Sequence, residues 1–300
     1  MMGVAILMIF VLSAIYIQRR GVVGHEQLKR KITDHTNLFA PFNVLFYAFS
    51  KVPTTPFVET DHFADLKVLE ENWEVIRDEA VRLNDQGAIK ASDDRDDLGF
   101  NSFFKTGWTR FYLKWYGATL TSAQKLCPET TRLVESLPSI KGAMFASLPP
   151  GARLVKHRDP FAGSLRYHMG LSTPNDDACF IEVDGTRYSW RDGQAVMFDE
   201  TYIHYARNDT DQNRVILFLD IRRPVWFAPI DWLNSAFSNV VMAASATKNM
   251  AGDKVGALNR VFGHVYKVRM VGKQIKAWNR QVYYALQYGL YLGLIYLIFF

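Results

Sequence analysis

The chain is poor in cysteine and lacks a glycine-rich loop of the kind that holds nucleotide phosphates. Its two cysteines, Cys127 and Cys179, give no disulfide framework, which agrees with a reducing cytoplasm. An HRD triplet at residues 157–159 is typical of protein kinases, but no glycine-rich loop precedes it and no DFG follows it. A protein kinase is therefore excluded.

Charge is missing from both ends of the chain. Residues 2–17 (MGVAILMIFVLSAIYI) and 283–300 (YYALQYGLYLGLIYLIFF) contain no Asp, Glu, Lys or Arg. As helices they would cover about 24 to 27 Å, within the range of a membrane-spanning segment. A cleaved signal peptide is disfavoured at the first run, which lacks a preceding cation and a small-x-small motif, whereas a buried C-terminal helix is the alternative for the second. We expect an apolar helix at each end, a transmembrane anchor at 1–20 and a membrane helix at 283–300.

Lys and Arg residues flank both apolar runs on the side that faces the middle of the chain. Arg19 and Arg20 follow the first run, and Lys276 and Arg280 precede the second. The positive-inside rule then puts the intervening residues on the cytoplasmic side. Between 232 and 282 there are eight Lys or Arg residues and one acid. We expect a basic, membrane-proximal helical segment at 227–282 that binds anionic lipids, and no nucleic acid.

The first part of the middle region has helical patterns. Residues 21–60 carry three prolines and are expected to form a juxtamembrane connector. Between 66 and 83 apolar residues recur every three or four positions, which predicts an amphipathic helix. Residues 128–137 predict a second, short helix.

The second part of the middle region has strand patterns separated by turn dipeptides such as Asp184-Gly185. The predicted strands are 142–148, 153–158, 164–172, 178–183, 186–190, 194–198, 202–207 and 213–221. Many short strands without intervening helices are typical of an antiparallel barrel or sandwich. We therefore expect a mainly β domain at 61–226 with flanking helices.

Candidate metal ligands occur in the segment KHRDPF. His157 and Asp159 are separated by one residue, so on an extended strand both side chains point to the same face. An isolated pair of this kind is more often a surface histidine before a turn. Non-heme Fe(II) oxygenases use two histidines and one carboxylate, so a second histidine on a later strand is required. His204 is the candidate.

Three further polar residues fall where strands should be packed. Arg214 begins the apolar strand VILFLDI, and a buried guanidinium needs a partner. That partner is either a cosubstrate carboxylate or an ion pair with Asp220 or Asp199. Arg166 and His168 share one face of their strand. If that face lines a barrel interior, both can bond a cosubstrate or substrate; otherwise Arg166 faces solvent.

Four segments together carry a resemblance to a known family. They are LKVLEENWEVIRDE, PPGARLVKHRDPFAGSLRYHMGL, FDETYIHYARN and NRVILFLDIRRP. From about Asp61 to Pro224 the chain resembles the aspartyl/asparaginyl β-hydroxylase family of Fe(II)- and 2-oxoglutarate-dependent dioxygenases. The resemblance implies a double-stranded β-helix core, as in jelly rolls and cupins. It also implies Fe(II), 2-oxoglutarate and O2, with 2-oxoglutarate decarboxylated to succinate as an unactivated C–H bond is hydroxylated.

The resemblance also implies roles for individual residues. The implied iron ligands and catalytic residues are His157, Asp159 and His204. The implied cosubstrate-binding residues are Arg214, Arg166, His168 and Ser147. Relatives have a serine before the Pro-Gly turn where this chain has Ala146, so Ser147 is one position off, and some relatives lack an acid at the position of Asp159.

With an apolar run at each end, the chain resembles most the lipid A hydroxylases of Gram-negative bacteria. This implies hydroxylation at C2 of a secondary fatty acyl chain of lipid A, at the bacterial inner membrane, with the catalytic domain in the cytoplasm. The expected partners are the lipid A acyl chain and anionic membrane lipids. Two alternatives are the same chemistry on an Asp or Asn side chain of a protein, and a membrane-tethered scaffold without catalysis. The apolar ends favour a lipid, and the complete ligand set disfavours a scaffold.

Overall fold

The computed structural model describes residues 2–92, 97 and 99–299. Its α-helices are Met2–Arg19 (α1), Leu28–Ile32 (α2), Thr36–Ala48 (α3), Lys67–Glu71 (α4), Trp73–Asp85 (α5), Thr121–Leu126 (α6), Pro128–Glu135 (α7), Ala228–Phe237 (α8), Ala257–Trp278 (α9) and Arg280–Phe299 (α10). Its strands are Phe57–Val58 (β1), Thr109–Trp115 (β2), Ala118–Thr119 (β3), Ile140–Leu148 (β4), Arg153–His157 (β5), Ser164–Ser172 (β6), Cys179–Val183 (β7), Thr186–Ser189 (β8), Ala195–Phe198 (β9), His204–Asn208 (β10) and Arg214–Arg222 (β11).

The consecutive strands β4 to β11 form most of two antiparallel sheets. The larger sheet has the order β1-β9-β6-β11-β4-β2-β3, and the smaller has the order β5-β10-β7-β8. Apart from the β7–β8 hairpin, strands β4 to β11 alternate between the sheets, and β4 and β11 become neighbours, which is the arrangement of a jelly roll, or double-stranded β-helix. The predicted mainly β fold is confirmed, and each predicted strand is present within two residues of its expected bounds.

The larger sheet is buried on both faces. Even-numbered side chains of β6 and β11 point toward the smaller sheet: Phe198, which is paired with Arg166, lies against His204 of β10. Odd-numbered side chains point toward α5 and α7, which pack on the other face. Because side chains alternate with a period of two, polar residues at even positions of these strands face the space between the sheets.

The terminal apolar runs are helical, as expected, and form α1 and α10. Nowhere in residues 2–92, 97 and 99–299 does a helix combine the length and the apolar character needed to cross a membrane. The last turn of α1 is packed on the domain, since Ile17 is 2% exposed and the side chain of Arg20 is 8% exposed. Only residues 3–12 of α1 are continuously exposed, which is shorter than the roughly 20 residues of a spanning helix. The prediction of two spanning helices is therefore not supported.

Helix α3 is turned with its apolar side outward. Leu38, Phe42 and Leu45 recur at steps of four and three and are 67%, 41% and 36% exposed, whereas Asn43 and Tyr47 on the opposite side are buried. Phe49, directly after the helix, packs against two further exposed rings, with centroid distances of 4.8 Å to Trp226 and 5.1 Å to Phe227. Together the exposed residues Leu38, Phe42, Leu45, Trp226 and Phe227 form the apolar face.

Candidate active site

The three predicted metal ligands lie at the ends of paired strands of the smaller sheet. His157 is the last residue of β5, His204 is the first residue of β10, and the two are directly opposite in the antiparallel pairing. Asp159 follows β5 by two residues. One ligand atom of each residue lies within 4.8 Å of the others, and the imidazole centroids are 4.2 Å apart. The fold thus brings the three residues together.

Backbone carbonyls fix the tautomer of both histidines. Nδ1 of His157 lies 2.7 Å from the carbonyl oxygen of Val155, and Nδ1 of His204 lies 2.9 Å from that of Tyr202. A carbonyl oxygen only accepts, so each Nδ1 donates and each Nε2 is the ring nitrogen left to bind a metal. Burial, together with the neighbouring His157, lowers the pKa of His204 to about 3, so this imidazole is neutral at pH 7.

Asp159 is held as a carboxylate by its surroundings. Burial alone would raise its pKa, but Arg166 and the two histidines hold the pKa below its usual value. Arg166 donates from Nη2 to Oδ2 at 2.9 Å, and Oδ1 lies 3.7 Å from Nε2 of His157. Two imidazoles and one carboxylate are the donor set of the facial triad that holds Fe(II). The residues present therefore fit the implied metal.

The Arg166 guanidinium is surrounded by three carboxylates. Besides Asp159 it contacts Glu200, and its Nε donates to Oδ1 of Asp220 at 2.9 Å. Burial, with Asp220 and Asp159 adding to it, raises the pKa of Glu200 well above its usual value against the opposing effect of Arg166. Of the two positions considered for Arg166, the interior one is observed, since Arg166 is 7% exposed. Its partners, however, are protein carboxylates, so it orients Asp159 rather than offering a free cation to a cosubstrate.

Arg214 and His168 carry buried polar atoms that no described residue satisfies. They are 1% and 5% exposed, and Nε and Nη2 of Arg214 and both ring nitrogens of His168 have no hydrogen-bond partner among the described residues. Burial lowers the pKa of Arg214 to about 10. Its guanidinium lies 4.4 Å from the ring centroid of Trp190. Unpaired buried donors are costly, so these atoms fit a carboxylate ligand such as 2-oxoglutarate.

The ion pairs considered as an alternative for Arg214 are not formed. Asp220 binds Arg166, and Asp199 binds Arg20 and Arg223. The ring of Phe198 lies 5.1 Å from that of His168 and 5.7 Å from that of His204. The unpaired atoms and the candidate metal ligands therefore border the same interior space.

Ser147 lies on the wrong side of the sheet for its predicted role. It is paired with Val215, so its side chain points to the face opposite that of Arg214. Its hydroxyl donates to Oδ1 of Asn213 at 2.9 Å, and Asn213 donates in turn to Asn84 of α5. Because a shift of one residue exchanges the two faces of a strand, the assignment of Ser147 to cosubstrate binding is wrong.

A cleft of about 260 Å³ adjoins the triad. Its polar floor is formed by Asp159, Ser164, Arg166, Glu200 and Asp220. Its apolar wall includes Phe39, Phe100, Phe103, Trp115, Phe161, Phe237 and Met242. Val241 and Leu258 also line it and are 37% and 40% exposed, so the cleft reaches the surface beside them. The cleft joins a polar end beside the candidate metal ligands to an apolar outer end.

Several residues of this site were not identified from the sequence. Asp220 shares its face of β11 with Arg214, six positions earlier, so strand parity was a usable signal. Glu200 and Phe103 lie outside regular strands, where parity gives no information. The ring of Phe103 is 4.8 Å from that of His157, a contact between distant segments that local pattern does not encode.

The chain is similar to known proteins of one family. The sequence model of the family described as aspartyl/asparaginyl beta-hydroxylase matches residues 70–224. An ornithine lipid ester-linked acyl 2-hydroxylase of Rhizobium tropici is 32% identical over 196 residues, which cover 65% of this chain and 69% of that protein. Human aspartyl/asparaginyl beta-hydroxylase is 29% identical over 173 residues, which cover 55% of this chain and only 22% of the human protein.

Among solved structures, a prolyl-4-hydroxylase of Pseudomonas putida is 17% identical, with 52% of this chain and 88% of that chain covered and a TM-score of 0.34. The family match includes every predicted site residue from Ser147 to Arg214 and more than half of the chain. The chain therefore belongs to the aspartyl/asparaginyl β-hydroxylase family, and the prediction of a hydroxylase of this family is confirmed.

Proposed function

We propose that the protein is an Fe(II)- and 2-oxoglutarate-dependent dioxygenase that hydroxylates C2 of a secondary acyl chain of lipid A at the cytoplasmic face of the inner membrane. The observation that carries the proposal is the cleft, whose polar end adjoins the triad and whose walls are aromatic and aliphatic. A lipid acyl chain matches this cleft, because it has a polar ester at one end and an apolar hydrocarbon tail.

Residues of this chain would hold both cofactors. Nε2 of His157, Nε2 of His204 and the carboxylate of Asp159 would bind iron. Arg214 would anchor the distal carboxylate of 2-oxoglutarate, and His168 would border it. Iron with bound 2-oxoglutarate and O2 would supply the oxidising power for attack on an unactivated C–H bond. The surrounding residues orient the substrate and exclude water.

The charge of the floor favours a neutral substrate over an acidic side chain. An Asp side chain of a protein substrate needs a free cation near the iron. Arg166 is the cation in the floor, and its guanidinium is already bound by Asp159, Glu200 and Asp220. A further carboxylate would meet three acidic residues. An acyl chain brings no charge.

The position of the polar floor supports attack near the ester end of the chain. C2 is bonded to the ester carbonyl carbon, so C2 hydroxylation puts the ester beside the iron and the tail along the apolar wall. Ser164 and Arg166 make the floor polar, and Phe103 and Phe237 offer aromatic surface beyond it. The relative in Rhizobium tropici bears a name that specifies acyl 2-hydroxylation, which supports the same position.

The surface near the outer end of the cleft supports a membrane as the source of the substrate. Phe39 of α3 lines the cleft, and its neighbours Leu38 and Phe42 belong to the exposed apolar face. An outward apolar side on a surface helix calls for an apolar partner. The nearby helix α9 has basic residues such as Lys273 and Lys276, which would contact anionic headgroups.

A second candidate substrate is the ester-linked acyl chain of an amino-acid-containing membrane lipid. It is favoured by the match to the ornithine lipid hydroxylase, which covers 69% of that protein. Both candidates use the same cleft and the same C2 position. They differ only in the headgroup.

The experiment is mass spectrometry of lipid A and of aminolipids from cells that express the wild-type protein or His157→Ala. We expect one additional oxygen on an acyl chain of lipid A with the wild type alone. An additional oxygen on the aminolipid alone would select the second candidate. If neither lipid changes while the purified protein forms succinate in a metal-dependent manner, the lipid substrate is wrong. If no succinate forms with added iron, the scaffold alternative is favoured.

A further inference from the structure

The segments that carry the candidate metal ligands are held by residues from the first 48 positions of the chain. Those positions precede the part matched by the family, which begins at residue 70. Three contacts reach the ligand-bearing segments from α1, from Arg20 directly after it, and from α3. Each involves a buried side chain and a hydrogen bond.

The first contact involves the residue between His157 and Asp159. Arg158 points away from the triad and is 8% exposed. Its Nη1 donates to the carbonyl oxygen of Ile17 at 3.0 Å. The last carbonyls of a helix lack intrahelical partners and carry partial negative charge, so the end of α1 is a favourable acceptor for a guanidinium. The HxD segment is thereby fixed to α1.

The second contact involves the loop that follows Asp159. Asn43 of α3 is fully buried and donates from Nδ2 to the carbonyl oxygen of Pro160 at 2.8 Å. Its Oδ1 accepts from the backbone N–H of Ala162 at 2.9 Å. The side-chain amide of Asn43 thus bonds a backbone carbonyl and a backbone N–H of the same loop, which fixes the backbone immediately after Asp159.

The third contact involves the segment before His204. The guanidinium of Arg20 lies between the rings of Tyr47 and Tyr202, 3.8 Å and 4.1 Å from their centroids. It donates to Oδ2 of Asp199 at 2.7 Å and to the hydroxyl of Thr201 at 2.8 Å. The carbonyl of Tyr202 accepts from Nδ1 of His204. Arg20 therefore holds the segment that orients the second histidine.

The ligands need such support because they lie where the sheet ends. His157 closes β5, Asp159 lies beyond it, and His204 opens β10, with an irregular register between His204 and Ala206. Past these residues the regular ladder gives way to isolated backbone hydrogen bonds, such as that from the N–H of Asp159 to the carbonyl oxygen of Glu200 at 2.9 Å. A metal site nevertheless requires its ligands to be held within about 0.5 Å of their working positions.

We propose that Arg20 and Asn43 are positioning residues of the metal site, and that α1 and α3 fix the spacing between the HxD segment and His204. The proposal rests on the iron site of the proposed function. It predicts that the affinity of the triad for a divalent metal depends on two residues that touch no ligand atom. A purely structural role would change the stability of the fold and leave that affinity unchanged.

The test is titration of the purified full-length chain with Co(II), monitored by the visible absorption of the bound ion, together with the thermal midpoint. The variants are Arg20→Ala, Arg20→Lys and Asn43→Ala. The control is Glu79→Gln, since Glu79 is 6% exposed and binds the N–H of Thr130 at 2.8 Å, away from the triad. We expect Co(II) binding to weaken about tenfold in both alanine variants and less in Arg20→Lys. Glu79→Gln should lower the midpoint and keep the affinity within about twofold.

The proposal is overturned if both alanine variants bind Co(II) within about twofold of the wild type while their midpoints fall as in the control. If Arg20→Ala does not fold, Arg20→Lys and Asn43→Ala decide the matter by the same criterion. A wild type that binds no Co(II), or binds it equally well as His157→Ala, contradicts the metal site and the proposed function together.

Discussion

His157 and His204 stand directly opposite each other on antiparallel strands, and the backbone carbonyl two residues before each histidine faces its Nδ1. The same local geometry therefore sets the same tautomer on both strands. Each residue of the triad offers one ligand atom, and these atoms lie within 4.8 Å of one another. The tautomers and ring orientations are thus determined by the fold itself, which is how a metal site is organised before the metal binds.

Arg214→Met should weaken 2-oxoglutarate binding without weakening the fold. Removing one partner of a buried charge pair costs at least about 2 kcal/mol, so the dissociation constant should rise by about 30-fold or more. In the ligand-free chain Arg214 has unpaired donors, and an apolar replacement of similar length leaves stability unchanged or higher. Isothermal titration and thermal denaturation measure the two effects.

The control for Arg214 is Arg187→Met, because the side chain of Arg187 is 61% exposed. It should retain the wild-type affinity for 2-oxoglutarate. A marked loss of stability in Arg214→Met with unchanged affinity would show that Arg214 supports the fold and does not anchor the cosubstrate.

Asp199 should contribute an acid-sensitive part of the stability. Burial raises its pKa, but Arg223 and Arg20 outweigh this and lower it to about 2, below the ordinary value of 3.8. A carboxylate with a depressed folded-state pKa stabilises the fold above its unfolded value and loses that effect as pH falls. Roughly 2 kcal/mol should disappear between about pH 4 and pH 2.

Urea denaturation at a series of pH values measures this contribution. Asp199→Asn should be less stable at neutral pH and should lose less stability than the wild type between about pH 4 and pH 2. Parallel curves for the two proteins over that interval would contradict the assignment.

Phe237→Leu should weaken binding of the lipid and leave the cosubstrate site intact. The ring of Phe237 stacks on Phe161 at 4.3 Å and meets the edge of Phe39 at 5.5 Å, all on the wall of the cleft. Loss of aromatic surface there should raise the KM for an acyl lipid by about tenfold, with the KM for 2-oxoglutarate unchanged. Steady-state kinetics on both substrates make the comparison.

Phe180→Leu is the matched control for Phe237→Leu. Phe180 is buried in β7 and does not line the cleft. It should change neither KM. Equal changes of the lipid KM in both variants would show that general packing, and not contact with the chain, determines it.

Phe42→Asp combined with Leu45→Asp should reduce membrane binding. Both side chains belong to the apolar face, where a carboxylate opposes insertion into lipid and repels anionic headgroups. Flotation with anionic vesicles should recover several-fold less of this variant than of the wild type. Val75→Asp is the matched control, because Val75 is 45% exposed on α5, outside the apolar face. Equal losses in both variants would contradict a role for the apolar face.

The sequence predicted the sheets well because strand patterns are local. The alternation of apolar and polar residues and the turn at Asp184-Gly185 gave the strand positions, and parity put Arg166 and His168 on one face of their strand. The spacing of one intervening residue predicted that the side chains of His157 and Asp159 point to the same face. Position on a later strand singled out His204 as their partner.

The remaining features depend on contacts between distant segments. Parity would have excluded Ser147 once its pairing with Val215 was known, but the register of β4 against β11 is not visible in either strand alone. The three carboxylates around Arg166 come from separate segments. The apolar run of α1 gave no sign that Ile17 would be buried beneath Arg158. Apolar character alone does not separate a helix packed on its own domain from one that crosses a bilayer.

The most direct measurement is the reaction of the purified protein with an acyl-ester lipid, Fe(II), 2-oxoglutarate and ¹⁸O₂, followed by mass spectrometry of the lipid. The account predicts a single ¹⁸O on the acyl chain at C2, with succinate formed in equal amount, and no product from His204→Ala. Succinate without labelled lipid, or a hydroxyl oxygen derived from water, would contradict it.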